Sequence, residues 1–282
     1  TSKMPSMFIR SVLEAVRKEG IPSVAIQHGI YYDSCLWDPV DVTRICADED
    51  FKRILIKRGE DPQRIVVTGA PRYDKLFRKM KGDKSDIKKR LGLNRNGKYL
   101  CFLTSFLPEW STAENRKELL TALIESAREN DYDLIIKLHP REKKSELQSL
   151  VSRVAKTKEV ENRVKIFSFE EQELFDVVLA SDVIVGVRTS ALVTALLAKK
   201  PTILINFDPS VTDFFPGIES KIFGVAGSYT ELFEMIKDVV GNPSKTRDSV
   251  KRAEKYARKY VPYENAAERV VNCLLELLKT IT

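Results

Sequence analysis

Cysteine is scarce in this chain and poorly spaced for ligation. Cys35, Cys46, Cys101 and Cys273 are far apart, and none forms a CxxC pair. That spacing argues against a disulfide framework or a zinc site. There are only two histidines, His28 and His139, too few for a multi-histidine metal centre, so no metal is expected. No apolar run approaches the roughly 18 residues of a membrane span; stretches such as Val183–Val187 are strand-sized. The opening Thr-Ser-Lys-Met-Pro has no apolar leader, which makes the reducing cytoplasm the expected location. Neither GxxxxGK[ST] nor GxGxxG occurs. A Walker-type phosphate loop and the usual dinucleotide fingerprint are therefore unsupported, and no cofactor is expected. No internal repeat or low-complexity tract is visible.

What is present is globular. The 282 residues are 43% hydrophobic and 31% charged, too apolar and evenly mixed for a disordered chain and long enough for about two domains. The net charge of +7 is concentrated. Lys75 to Lys98 carries ten basic residues against two acidic ones. Nucleic acid, anionic headgroups or a phosphorylated substrate could each answer such a patch, as could plain solvation. The stretch lacks interleaved aromatics, so a nucleic-acid partner is not expected.

Apolar periodicity alternates between strand and helix. Short strands are expected at 21–26, 44–47 and 65–68, then at 99–103, 133–138, 164–166, 183–187 and 202–205. Helices of about 10 to 17 residues lie between many of them, and the chain beyond 205 reads as mainly helical. This alternation implies parallel βαβ units and a doubly wound sheet. The fold class is α/β: two Rossmann-like parallel-sheet domains, the first apparently incomplete. Expected boundaries are 1–90 for the C-terminal part of a first, acceptor-side domain with its basic linker. Residues 91–262 form a nucleotide-donor domain, and 263–282 a last helix that crosses back to the first.

Ligands of such sheets bind beyond the carboxyl ends of the strands. Several candidates stand there. His28 and Gly29 follow the first strand; His28 titrates in the range of a general base for a hydroxyl. Gly69 and Arg72 follow the third. Thr104 and Ser105, then His139 and Arg141, follow the first two strands of the second block. Arg188, Thr189 and Ser190 open a helix, where hydroxyls, backbone N–H groups and the helix dipole would receive a phosphate. Asp208 follows the last strand. The plainer readings are a capping role for Thr189 or Ser190, hydrogen-bonded structural histidines, and an ordinary loop at Gly69.

Taken together, "QHG", "VTGAPRYDKL", "KLHP" and "SDVIVGVRTSALVTALLAKKPTILINFD" resemble the GT-B glycosyltransferase superfamily. The nearest branch is that of CDP-glycerol glycerophosphotransferases and capsule or surface-polysaccharide transferases. The resemblance implies two domains facing a cleft, with the donor held mainly by the second, and metal-independent transfer. It implies His28 as base, His139 near the donor phosphates, and Thr189 with Ser190 at the pyrophosphate. Thr194 stands where that branch usually has Asp or Glu.

The expected function is therefore transfer of a sugar or polyol phosphate from a UDP- or CDP-type donor to a surface-glycan or lipid-linked acceptor. The basic stretch would suit work at the inner face of the membrane. The alternatives are a UDP-sugar 2-epimerase of the same fold and a non-catalytic nucleotide-sugar or glycan-binding module.

Overall fold

Two parallel sheets, of three and six strands, organise the chain in the computed structural model. The structure describes residues 7–27, 42–105, 108–171, 173–187, 189–208, 222–258 and 264–279. The chain divides into two compact units. The first takes in the described residues up to Lys75 together with the last helix; the second takes in those from Leu76 to Ala257.

In the first unit, β1 (Val24–Ile26), β2 (Thr43–Cys46) and β3 (Ile65–Val67) run parallel in that order. Helix α1 (Met7–Lys18) precedes them, and α2 (Glu49–Lys57) crosses from β2 to β3. Asp48 caps α2 by accepting the Phe51 N–H at 2.8 Å, satisfying one of the donors a helix start leaves open. Phe51 and Leu55 then bury against Cys46 and Ile65. At the carboxyl ends of the strands, the Gln27 side-chain oxygen accepts the Ala47 N–H at 2.7 Å. The last helix, Ala266–Lys279, belongs to this unit. Its first turn is held by Asp74, whose carboxylate accepts the N–H groups of Ala266 and Ala267 at 2.9 Å each. Arg269 donates to the Thr68 carbonyl at 2.9 Å.

The second unit is built on β4 (Tyr99–Leu103), β5 (Asp133–Lys137), β6 (Val164–Phe167), β7 (Val183–Val187), β8 (Thr202–Ile205) and β9 (Gly224–Ala226). Their order is β6-β5-β4-β7-β8-β9, all parallel. Renumbered within the unit this is 3-2-1-4-5-6, the doubly wound order whose direction reverses between its first and fourth strands. β4 and β7 flank that reversal and are buried throughout, as central parallel strands should be.

Alternate side chains face opposite layers. Leu100, Phe102, Leu134, Ile136, Val183 and Val185 pack into one core with Leu119, Leu120 and Leu123 of the helix Ala113–Glu129 and Leu232 and Ile236 of the helix Tyr229–Gly241. On the other face lie the helices Leu174–Ala180 and Ala191–Leu197. β9 (Gly224–Ala226) adds a strand to a region expected to be mainly helical. It is a three-residue strand beginning with glycine, too short to show an alternating pattern.

Part of the basic stretch is engaged within this unit, while most of its charges stay exposed. Lys79 pairs with Asp176 at 2.6 Å and Glu173 at 3.0 Å, and Arg90 reaches Asp176 at 3.4 Å. Lys88 donates to the Gly97 carbonyl at 2.8 Å.

Candidate functional site

The carboxyl edge of the six-stranded sheet brings together the exits of β4, β5 and β7. Thr104 and Ser105 leave β4 and are buried. The Thr104 hydroxyl is already engaged: it donates to Glu142 and lies 3.3 Å from the Lys137 carbonyl. It also accepts the His139 N–H at 2.8 Å. Thr104 thus ties the β4 exit to the β5 exit, where the sequence had suggested a ligand contact.

His139 follows β5 in a closed turn. Its N–H is shared between Thr104 and Glu142 Oε2, the latter at 3.0 Å, while its carbonyl accepts the Glu142 N–H at 2.9 Å. Nδ1 accepts the Arg141 N–H at 3.3 Å. In the neutral ring this places the proton on Nε2, leaving an N–H donor there. Burial holds the His139 pKa below the usual imidazole value; Glu142 opposes that shift and Arg141 adds to it. The neutral ring is thus favoured near pH 7. Arg141 is exposed beside it.

Beyond β7, the Thr189 side-chain oxygen accepts the Ala191 N–H at 3.3 Å, and its carbonyl accepts the Leu192 N–H at 3.0 Å. Thr189 therefore does the capping, while Ser190 is exposed and makes no capping bond. The helix they open, α3 (Ala191–Leu197), approaches β7 closely. A Cβ on Gly186 would lie 2.8 Å from Leu192 Cδ2. Thr194, inside α3, is fully buried, and its hydroxyl has no hydrogen-bond partner.

The remaining candidates are dispersed. Asp208, past β8, is exposed, and its N–H donates to the Asn206 side chain at 3.2 Å. In the first unit, Gly69 turns the chain after β3 with φ +84°, a conformation glycine adopts without penalty. Arg72 is exposed, its guanidinium 5.1 Å from the Tyr73 ring centre. His28, Gly29 and Arg188 lie outside the described residues.

Three participants escaped the sequence reading. The Glu142 side chain is only 6% exposed. Besides its bonds to the Thr104 and His139 turns, it accepts the Trp110 indole N–H at 2.6 Å. Trp110 is fully buried, and a buried indole needs such an acceptor. Lys137, the last residue of β5, is buried, donates to the Ser168 carbonyl, and has its pKa pushed down to about 8 by burial. Among the described residues, no group of three or more His, Cys, Asp and Glu side chains could hold a metal ion.

A family model described as CDP-Glycerol:Poly(glycerophosphate) glycerophosphotransferase matches residues 45–276. No curated protein matches the sequence. Among solved structures, a variant of the wall teichoic acid polymerase TagF is similar with a TM-score of 0.60 and 15% identity, over 86% of this chain and 59% of that one. The chain thus spans less than two thirds of the length of that polymerase structure. UDP-GlcNAc 2-epimerase from Neisseria meningitidis, bound to UDP-GlcNAc, matches with a TM-score of 0.65 and 18% identity, over 94% of this chain and 73% of that one. Anabaena Alr3699/HepE, in complex with UDP and glucose, gives 0.57 and 15%, over 93% and 74%. At such identities the likeness establishes the fold, two Rossmann-like domains of the GT-B type.

Proposed function

The chain belongs to the CDP-glycerol:poly(glycerophosphate) glycerophosphotransferase family, and from that membership and the geometry of the sheet edge we propose that it is a transferase using a nucleotide-activated donor. The donor is CDP-glycerol or a related CDP- or UDP-activated group; the acceptor is a surface glycan or a lipid-linked precursor. The observation that carries this reading is the strand order, which sets the Thr104–His139 turn and the Thr189–Ser190 turn at strand exits on either side of the sheet's reversal point. Ligands bind doubly wound sheets at that point.

In the proposed step, an acceptor hydroxyl attacks the phosphorus of the glycerol phosphate, and the bond to the nucleotide phosphate breaks. His28 takes the hydroxyl proton. Negative charge grows on the departing nucleotide. The Nε2–H of His139, the Ser190 hydroxyl and Arg188 would meet it, in the manner of an oxyanion site. The reading asks for no metal or cofactor. Work at the inner face of the membrane, with Lys75–Lys98 drawn to anionic headgroups, is part of the same proposal. Among the described residues, no helix is long and apolar enough to cross a membrane.

A non-catalytic donor-binding module is the second reading, favoured by the buried, unpartnered Thr194 in α3. The test is release of CMP from CDP-glycerol with and without a polyol-phosphate acceptor. Acceptor-dependent release supports the transferase. Donor binding without release supports the module and contradicts the transferase. Epimerised UDP-sugar formed without acceptor also contradicts it.

A further inference from the structure

We propose that Glu142 is the positioning residue of this site, its carboxylate gathering the exits of β4 and β5 and the Trp110 indole into one knot that fixes where the His139 ring stands. The inference rests on the proposed donor site and assigns it a residue outside the motifs.

One carboxylate here serves three donors: the Thr104 hydroxyl, the His139 N–H and the Trp110 indole N–H. A fourth group, the Arg116 guanidinium, stands 3.6 Å from Glu142 Oε1. A carboxylate removed from water is costly unless its oxygens are filled; these are. The bonding is also reciprocal. Glu142 accepts the His139 N–H through its side chain and donates its own N–H to the His139 carbonyl. His139 is therefore gripped on both sides of its Cα, which fixes the backbone from which the ring projects. The Arg141 N–H then fixes the tautomer from within the same turn. Trp110 anchors the knot to the core, with its ring edge-on to Phe102 at 4.9 Å. Arg116 braces it from outside, lying 5.5 Å from the indole centre and donating to the Trp110 carbonyl at 2.8 Å.

A residue that only stabilised the loop would alter the melting temperature and nothing else. Glu142 should also alter His139 itself. Among the described residues, the charged groups that act on the ring are Glu142 and Arg141, with Arg116 behind Glu142. Glu142 is the one that favours the imidazolium.

The test is an NMR titration of the histidine C2 protons in the full chain. There are only two histidines, and a His28→Gln variant assigns them. Glu142→Gln keeps the size and one acceptor oxygen but removes the charge. It should move the His139 titration to lower pH and reduce kcat/KM for CDP-glycerol at least tenfold. Arg116→Met should move the titration the opposite way, because Glu142 then acts without its screening cation. If Glu142→Gln does not fold, the upward shift in Arg116→Met supports the proposal alone. An unchanged His139 titration in the variants that fold overturns it, whatever their activity. The titration needs no donor. If the wild type neither binds nor turns over CDP-glycerol yet the shifts occur, Glu142 still positions His139, and it is the transferase reading that fails.

Discussion

Lys200 shows how a single buried charge leaves a signature in solution. It is 7% exposed and donates to the Leu179 and Ser181 carbonyls near the end of a helix. Burial pushes its pKa down to about 8, while the unfolded chain holds that proton to about 10.4. Between those values the unfolded state binds more protons, so Lys200 makes stability rise with pH across the window and costs most below pH 8. The thiols of Cys46 and Cys101, pushed up to about 12 by burial, act in the opposite sense at the top of the same window. The clean readout is therefore a difference. In urea unfolding, the stability of the wild type relative to Lys200→Met should increase from pH 8 to pH 10; a flat difference would contradict the assignment. Lys200 and Glu142 share a reason for having escaped the sequence reading. Charged residues are read from sequence as solvated, and only tertiary packing shows which have been drawn inside with their partners.

The helix that opens at Thr189 depends on how closely it can approach β7. With a Cβ at Gly186 only 2.8 Å from Leu192 Cδ2, Gly186→Ala must displace a buried leucine and the start of α3. The expected cost is roughly 1–3 kcal/mol in urea unfolding, with a larger proportional loss of donor affinity. At the other end of the chain, Asp74→Ala strands the N–H groups of Ala266 and Ala267 and should cost about 1–2 kcal/mol in the same measurement. At this scale the sequence was highly informative. Tyr99–Leu103, Val183–Val187 and Thr202–Ile205 were expected at the boundaries observed, because buried central strands are unbroken apolar runs closed by turn residues. The turns were legible as places but not as chemistry. Thr104 sits where a ligand contact was expected, yet its hydroxyl is committed to Glu142, 38 residues away. Ser190 is open while Thr189 caps the helix, a choice that two adjacent hydroxyl residues do not announce.

At the scale of the whole molecule, charge and ligand answer separate questions. The basic stretch retains exposed lysines, among them Lys84 and Lys89, even though Lys79 and Arg90 are paired. If it draws the chain to anionic lipid, each exposed lysine contributes on the order of 1 kcal/mol. The Lys84→Glu, Lys89→Glu variant should then no longer sediment with phosphatidylserine vesicles; undiminished sedimentation would remove the membrane from the account. The fold-level motif order was legible because strand exits recur at fixed places in a doubly wound sheet. The donor's identity was not, because recognition is spread over loops far apart in sequence. The central claim is that the carboxyl edge of the six-stranded sheet holds the activated donor. A thermal melt of the full chain with saturating CDP-glycerol, alongside the His139→Ala, Ser190→Ala variant, tests it directly. Ligand at 100 times Kd contributes about 2.7 kcal/mol, so the wild type should melt roughly 5 °C higher or more and the variant should barely move. Equal shifts in both proteins, or none in the wild type, would contradict it.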